Sequence, residues 1–372
     1  MNPIKPGLEN VVAAETRLSS VNGQIGELII AGFPVEELAG RATFEEAIYL
    51  LWHDQLPNAE QLAQFRQEMA SGRDIPPATM ALLQAAAKQQ VPTMDALRMA
   101  AGTLSLDAPP NEALSLVARF PTIVAAYWRL RHGQEAIAPR PDLGQAANYL
   151  YMLSGVVPGR AQERGMETYL NTVMDHGFNV STFAARVIIS TDSDLVSAIT
   201  GAIGALKGPK HGGAPGPALD MVFEIGSAER AESYLRQKLG RGERLMGFGH
   251  RVYKVRDPRA DVLAAAAEKM YRLEGDMSLY QLAKAVEQTA LALLEEYKPG
   301  RRLQTNVEFF TALLLHGLGL ETDLFTPTFA IGRVPGWIAH CFEQQQTGRI
   351  IRPESVYIGP TNRQWLPLEQ RG

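Results

Sequence analysis

Apolar positions along this chain recur mostly with a helical period. Residues 42–52, ATFEEAIYLLW, open with Thr43 and carry Glu46 three residues later, the pattern of a capping box. Ile48, Leu51 and Trp52 then share one face, so the spacing predicts a helix. Across 194–206, Leu195, Ile199, Ala202, Ile203 and Leu206 form an apolar stripe, while Gly201 and Gly204 leave room for a close neighbour. Leu282, Val286, Thr289, Leu293 and Tyr297 repeat the pattern across 281–297. Strand signals are few. TRLSSVNGQIGELII (16–30) suits a short N-terminal β-hairpin turning at Asn22-Gly23, and Arg349 to Ile358 is a second candidate extended piece. Strands and helices do not alternate as a parallel sheet requires, so the predicted fold class is mainly α.

Proline and glycine interrupt this pattern at three places. PRPDL (139–143) reads as a surface connection. GPKHGGAPGP (208–217) has four glycines and three prolines in ten residues, directly after an apolar helix, and the backbone must bend there. KPGRRLQTN (298–306) precedes another apolar run at 307–318. The breaks near 211 and 306 enclose a segment that reads as an inserted, hinged domain.

Composition narrows the function classes. With 372 residues, 46% apolar and 20% charged, the chain has the make-up of an ordinary globular protein long enough for two domains. A net charge of −4 supplies no cationic field, so nucleic acid is not an expected partner and any local basic cluster serves something smaller. Cys341 is the only cysteine, which rules out an intrachain disulfide and a four-cysteine metal site. MNPIKPGLEN lacks the apolar run of a secretory signal and no stretch approaches a membrane span, so the expected setting is cytoplasmic, without a membrane partner.

The candidate chemistry gathers around glycine-flanked histidines. His176 lies in MDHGFNVST, His211 in GPKHGGA and His250 in GFGHRVYK, whereas His53, His132, His316 and His340 sit in ordinary contexts and read as structural or solvated. A helix beginning after HGGA would set the His211 ring against a positive helix end, favouring the neutral form. After His250, Arg251, Lys254, Arg256 and Arg259 crowd into nine residues.

Four segments, GPKHGGAPGPALD, MGFGHRVYKVRDPRAD, NVEFFTALLLHGLG and LFTPTFAIGRVPGWIAH, resemble the signature segments of citrate synthases, in that family's order and spacing. The stretch from GLENVVAAETRL to EEAIYLLW is similar to the start of short bacterial and archaeal citrate synthases and 2-methylcitrate synthases. The resemblance implies a two-domain helical fold, with 1–211 and 318–372 as the large domain and 212–317 as a small, CoA-binding domain that closes over the site. It implies condensation of acetyl-CoA with oxaloacetate, without a metal or other cofactor. On that pattern His211 faces the thioester oxygen, His250 faces the oxaloacetate carbonyl, and Glu308 is the catalytic base. His176, Asn179, Arg259, Arg333 and Arg352 would bind oxaloacetate, the last supplied across a homodimer interface. Leu245, Met246, Gly247, Phe248 and Gly249 would meet CoA, with Lys254 and Arg256 as candidates for its phosphates.

These roles make physical sense. Guanidinium forks suit a dicarboxylate, and Arg333 is set among Phe329, Ala330, Ile331, Gly332 and Val334, an unusual place for a solvated charge. A donor aimed at a developing enolate oxygen stabilises the transition state by ~3 kcal/mol. One departure stands out: the base in most citrate synthases is the aspartate of an NVD-type motif, and this chain reads Asn306-Val307-Glu308. Glutamate is longer by one C–C bond, about 1.5 Å, so either the helix carrying it is set back by a comparable amount, or the enzyme is slow or prefers another acyl-CoA. Three rivals stay open on the sequence. A 2-methylcitrate synthase would use propionyl-CoA, a difference of about one methylene. A metal-dependent hydrolase would ligate through His176, His211, His250 and Glu308, although no short ligand spacing supports it. A helical binding protein would lack catalysis altogether.

Overall fold

The computed structural model of the chain describes residues 5–107, 109–212 and 215–371. Near the N-terminus, β1 (Ser19–Asn22), β2 (Glu27–Ile30) and β3 (Phe33–Pro34) pair antiparallel in sequence order. Ser19 opposes Ile30 and Asn22 opposes Glu27, so residues 23–26 form a four-residue loop instead of a tight Asn22-Gly23 turn. Tertiary contact is the reason. The Lys254 N–H donates to the Gly23 carbonyl at 2.7 Å, and a Cβ on Gly23 would lie 2.2 Å from the Val252 carbonyl oxygen. The loop is shaped by the segment it docks against.

Helices make up most of the rest. They run α1 (Val35–Leu38), α2 (Phe44–His53), α3 (Ala59–Ser71), α4 (Pro77–Lys88), α5 (Thr93–Thr103) and α6 (Glu112–Arg131). After a loop containing 139–143 come α7 (Gln145–Ser154), α8 (Arg160–Val173), α9 (Val180–Ile189) and α10 (Leu195–Leu206). The remainder are α11 (Pro215–Ile225), α12 (Ala228–Gly240), α13 (Pro258–Glu274), α14 (Ser278–Tyr297), α15 (Val307–Gly317) and α16 (Phe325–Thr347). The predicted cap forms: the Thr43 N–H donates to Glu46 Oε2 at 2.7 Å, and the Glu46 N–H donates to Thr43 Oγ1 at 3.3 Å. Such a cap stabilises a helix start by about 1 kcal/mol. Gly201 admits the predicted close neighbour, since a Cβ there would fall 2.2 Å from Ile188 Cδ1 of α9.

The core is centred on α6 and α16, which pack against each other. Residues 113–127 of α6 are all buried, as is most of α16. Helices α8, α9 and α10 surround α16. A second group follows, with α12 on α14 and both α11 and α13 on α15, and it meets the first where α13 packs on α8. The breaks at 207–212 and 298–306 lie at the entrance to α11 and α15. The first is shorter than its composition suggests, because Pro215 and Pro217 fall in the first turn of α11, where a missing N–H costs nothing. Gly213 and Ala214 of the HGGA turn lie outside the described residues. Arg349–Ile358 joins no strand among the described residues and runs as an exposed segment, with Ile358 94% exposed. No helix among the described residues is long and apolar enough to cross a membrane.

Candidate active site

Two distant stretches zip together to build the centre of the site. Phe248 and Thr305 form an antiparallel bridge. The Gly249 N–H donates to the Gln304 carbonyl at 2.7 Å, and the Asn306 N–H donates to the Gly247 carbonyl at 3.0 Å. Asn306 also caps α15: its Oδ1 accepts from the Glu308 N–H at 3.0 Å, while its Nδ2 donates to the Gly249 carbonyl at 2.8 Å. The loop carrying His250 is thereby fixed against the helix carrying Glu308. Gly247 is required for this join. Its φ is +85°, and a Cβ would approach Phe309 Cβ to 2.9 Å. The bare backbone therefore serves packing on α15, whatever lies on its other side.

Asp257 ties the same elements together from below. It accepts from Arg259 Nε at 3.0 Å and Nη2 at 2.8 Å, and from the Val307 N–H at 3.2 Å. The N-terminal strands brace the loop from outside through the Lys254–Gly23 bond. Neither long-range tie is visible in the sequence patterns, because the Asp257–Val307 and Lys254–Gly23 bonds join residues far apart in the chain.

The three singled-out histidines are half-buried, and so is Glu308. The His176 and His250 rings lie 6.0 Å apart, and His176 Nε2 is 3.1 Å from the Tyr253 hydroxyl. His250 Nδ1 accepts from the Val252 and Tyr253 N–H groups at 3.0 and 3.1 Å. A neutral His250 ring must then carry its proton on Nε2, the nitrogen left to act as a donor. His211 Nε2 lies 2.8 Å from Ser181 Oγ, which accepts from Trp337 Nε1 at 3.1 Å and lies 2.8 Å from Asn179 Oδ1. Asn179 is otherwise spent on the backbone: Oδ1 caps α9 through the Thr182 N–H at 3.1 Å, and Nδ2 donates to the Gly177 carbonyl at 3.2 Å. Ser181, Tyr253 and Asp257 are the residues that the sequence reading missed, although each lies within a quoted motif. Of the other histidines, His53, His132 and His316 are exposed, and His340 is buried between Asp175 and Arg186.

The arginines differ sharply in their partners. Arg259 is 5% exposed and paired with Asp257 through Nε and Nη2, and no hydrogen bond of its Nη1 occurs among the described residues. Arg333 is 1% exposed, donates Nε to the Val173 carbonyl at 2.5 Å and lies 4.9 Å over the Phe329 ring. It forms no ion pair with any carboxylate among the described residues. A buried guanidinium in that state is chemically suited to pair with an anion. Arg352 lies on the exposed C-terminal segment and makes no hydrogen bond or ion pair among the described residues. Arg256 is neutralised within the protein by Asp261 at 2.5 Å and Glu287 at 2.8 Å, and Glu287 also takes Thr305 Oγ1 at 2.7 Å. Lys254 is exposed and donates to the Arg251 carbonyl at 3.0 Å. Along the loop, Leu245 is buried, and Met246 and Phe248 are half-buried, with the Phe248 ring 5.3 Å from that of Phe309.

Electrostatics ties these groups into one cluster. Burial, reinforced by Arg333, pulls His211 down to about 4. Burial and then Arg259 pull His250 down to about 4. His176 is held well below its ordinary value by burial, Arg259, Arg333 and His250. The neutral His211 ring expected from a helix end is therefore achieved by enclosure and a neighbouring cation. Glu308 is pushed up to about 7 by burial, with Arg259 opposing and Asp257 adding to the rise. Burial draws Arg333 down to about 10 against the pull of Asp175. The arrangement offers neutral ring donors, a carboxyl that ionises near neutrality and a guanidinium receptor in one place. Among the described residues no group of three or more His, Cys, Asp or Glu side chains is arranged to hold a metal. Two cavities of about 670 and 780 Å³ flank α8, and neither is lined by any of these site residues.

Residues 7–354 match the family described as "Citrate synthase, C-terminal domain". The chain is 40% identical over 375 residues to Citrate synthase 2 of Bacillus subtilis, covering 98% of each. It is 38% identical over 371 residues to a 2-methylcitrate synthase of Mycobacterium tuberculosis, covering 97% of this chain and 92% of that one. The fold matches a citrate synthase from Thermoplasma acidophilum, solved as a ternary complex with carboxymethyl coenzyme A and oxaloacetate, with a TM-score of 0.87 at 30% identity over 99% of this chain and 100% of that one. A match of this length, on a mainly helical fold with the histidines, arginines and carboxylate gathered as described, establishes that the chain belongs to the citrate synthase family.

Proposed function

We propose that the chain condenses acetyl-CoA with oxaloacetate and water to give citrate and CoA. Arg259 and Arg333 bind the dicarboxylate, His176 orients it, and Arg352 of a second copy completes the clamp in a homodimer. Acetyl-CoA lies along Leu245–Gly249. The Glu308 carboxylate removes a methyl proton while His211 donates to the thioester oxygen, and the enolate carbon attacks the oxaloacetate ketone. His250 Nε2–H donates to that ketone oxygen as it gains charge. Each such donor contributes on the order of 3 kcal/mol. Water then cleaves the citryl thioester, releasing CoA and making the sequence downhill. For His211 to donate through Nδ1, its Nε2 must accept, so the single Ser181 proton must turn from Asn179 to the ring.

The observation that carries this reading is the join that fixes the His250 loop against the start of the helix bearing Glu308, with Arg333 buried and without a carboxylate partner among the described residues; a carboxyl raised to about 7 and rings lowered to about 4 agree with it. The start of α15, which carries Glu308, is held in place by Asn306 and Asp257. With Arg256 internally neutralised, Lys254 is the better of the two candidates for a CoA phosphate. The reading includes closure of 212–317 over the site, no metal or prosthetic group, and a cytoplasmic setting. Propionyl-CoA in place of acetyl-CoA is the second reading, kept because of the similarity to 2-methylcitrate synthases. The test is release of free thiol from acetyl-CoA and from propionyl-CoA, each with oxaloacetate, before and after chelation. The expected result is faster turnover of acetyl-CoA, unaffected by chelator. No thiol from either would mark a binder, and loss on chelation would mark a metal-dependent enzyme.

A further inference from the structure

Gln344 lies in the last turn of α16, 4% exposed, with both ends of its amide in use. Oε1 accepts from Arg186 Nε at 3.1 Å, and Nε2 donates to the Arg349 carbonyl at 2.9 Å and to Thr347 Oγ1 at 3.3 Å. Gly348, with φ +61°, ends the helix in a left-handed turn that brings Arg349 back over Gln344. Two residues later the Ile351 N–H donates to Ser190 Oγ at 3.0 Å. Beyond Ile351 no hydrogen bond among the described residues joins the C-terminal segment to the body. Arg352 is the next residue. Its starting point is therefore fixed by these two clamps.

Behind Gln344 runs a buried hydrogen-bonded chain. Arg186, fully buried, donates Nη1 to His340 Nδ1 at 3.0 Å and to Glu343 Oε2 at 2.6 Å, and lies 4.6 Å over the Phe178 ring. Because a guanidinium only donates, His340 Nδ1 is the acceptor, and its Nε2–H points to Asp175 Oδ1 at 3.2 Å. Asp175 directly precedes His176 and is the carboxylate whose field opposes the fall in the Arg333 pKa. The chain Asp175–His340–Arg186–Gln344 thus begins at the dicarboxylate pocket and ends at the root of the segment bearing Arg352. An apolar side chain could fill the same space. Arg186 Nε needs an acceptor and the Arg349 carbonyl needs a donor, and a carboxamide supplies both from one buried position.

We propose that Gln344 is a positioning residue that sets the exit of the C-terminal segment, so that Arg352 arrives at the dicarboxylate in the site of a second copy. The proposal rests on the reading that Arg352 is supplied across a dimer. Gln344→Glu keeps the acceptor for Arg186 and removes the donor to Arg349, while Ser190→Ala removes the second clamp at the surface without touching the buried chain. Steady-state kinetics and urea unfolding are measured for both, for Arg352→Ala, and for the Gln344→Glu/Arg352→Ala pair. The expected result for Gln344→Glu is a rise of about tenfold in KM for oxaloacetate, with KM for acetyl-CoA little changed and the unfolding midpoint lowered only by the lost hydrogen bond to Arg349. Ser190→Ala should move the same constant in the same direction by about threefold. The double variant should be no worse than Arg352→Ala alone, because a misplaced arginine that is already absent costs nothing more. If Arg352→Ala raises KM while the clamp variants leave it unchanged, or if the two effects multiply, Gln344 does not position Arg352. If Arg352→Ala leaves KM unchanged, the cross-dimer reading fails and this proposal falls with it.

Discussion

Replacing Glu308 by glutamine should destroy activity and, above neutral pH, stabilise the fold. The carboxyl is raised from 4.5 to about 7, chiefly by burial. A raised folded-state pKa means the folded protein holds this proton more tightly than the unfolded chain does. The associated stability is fully present below pH 4.5 and is lost as pH climbs through about 7. Such a displacement corresponds to about 3 kcal/mol at most, since the group retains some access to water. Glutamine has nearly the same shape and no charge to desolvate. The difference in unfolding free energy between Glu308→Gln and the parent should therefore be small at pH 5 and grow to about 2–3 kcal/mol in favour of the variant at pH 8. The assay is urea unfolding at fixed protein concentration at pH 5, 6, 7 and 8. Thiol release by the same variant should fall by about a thousandfold, the scale of losing a general base. In the parent, kcat/KM should decline below an apparent pKa near 7, because the base must be ionised, while the rings at about 4 stay neutral throughout. A variant no more stable than the parent at pH 8 would mean that Glu308 is not held against its ionisation, and retained turnover would remove it from the mechanism.

Two further outcomes follow from contacts in the site. Ser181→Ala takes away the hydroxyl at His211 Nε2 and should lower kcat for acetyl-CoA by about tenfold to a hundredfold with little change in KM for oxaloacetate, measured by thiol release. Gly247→Ala places a Cβ at φ +85° and 2.9 Å from Phe309 Cβ, and should cost about 2 kcal/mol or more in urea unfolding. An unchanged midpoint would show that the join of 247–249 with α15 is loose enough to admit a Cβ.

The parts of the site that were legible from the chain are those whose chemistry is carried by a short motif. His176, His211 and His250 stood out by their glycine flanks, and Arg333 by the apolar residues around it. Asn179 and Arg256 illustrate the limit. Each has the right type in the right motif, yet one spends its amide on Gly177, Thr182 and the Ser181 hydroxyl and the other its charge on Asp261 and Glu287. Whether a polar group is free for substrate depends on partners that no local pattern records.

What the sequence determined alone was therefore local: the Thr43–Glu46 cap, the apolar stripes of α10 and α14, and the breaks before α11 and α15. Periodicity and capping act within a few residues and can be read from them. Only the tertiary structure decided that residues 247–249 pair with 304–306, that 23–26 opens into a loop against 252–254, and that one carboxyl is held near 7 while two rings are held near 4. Those outcomes come from burial and from charges brought together across tens to hundreds of residues, and desolvation exists only once the chain has closed around them.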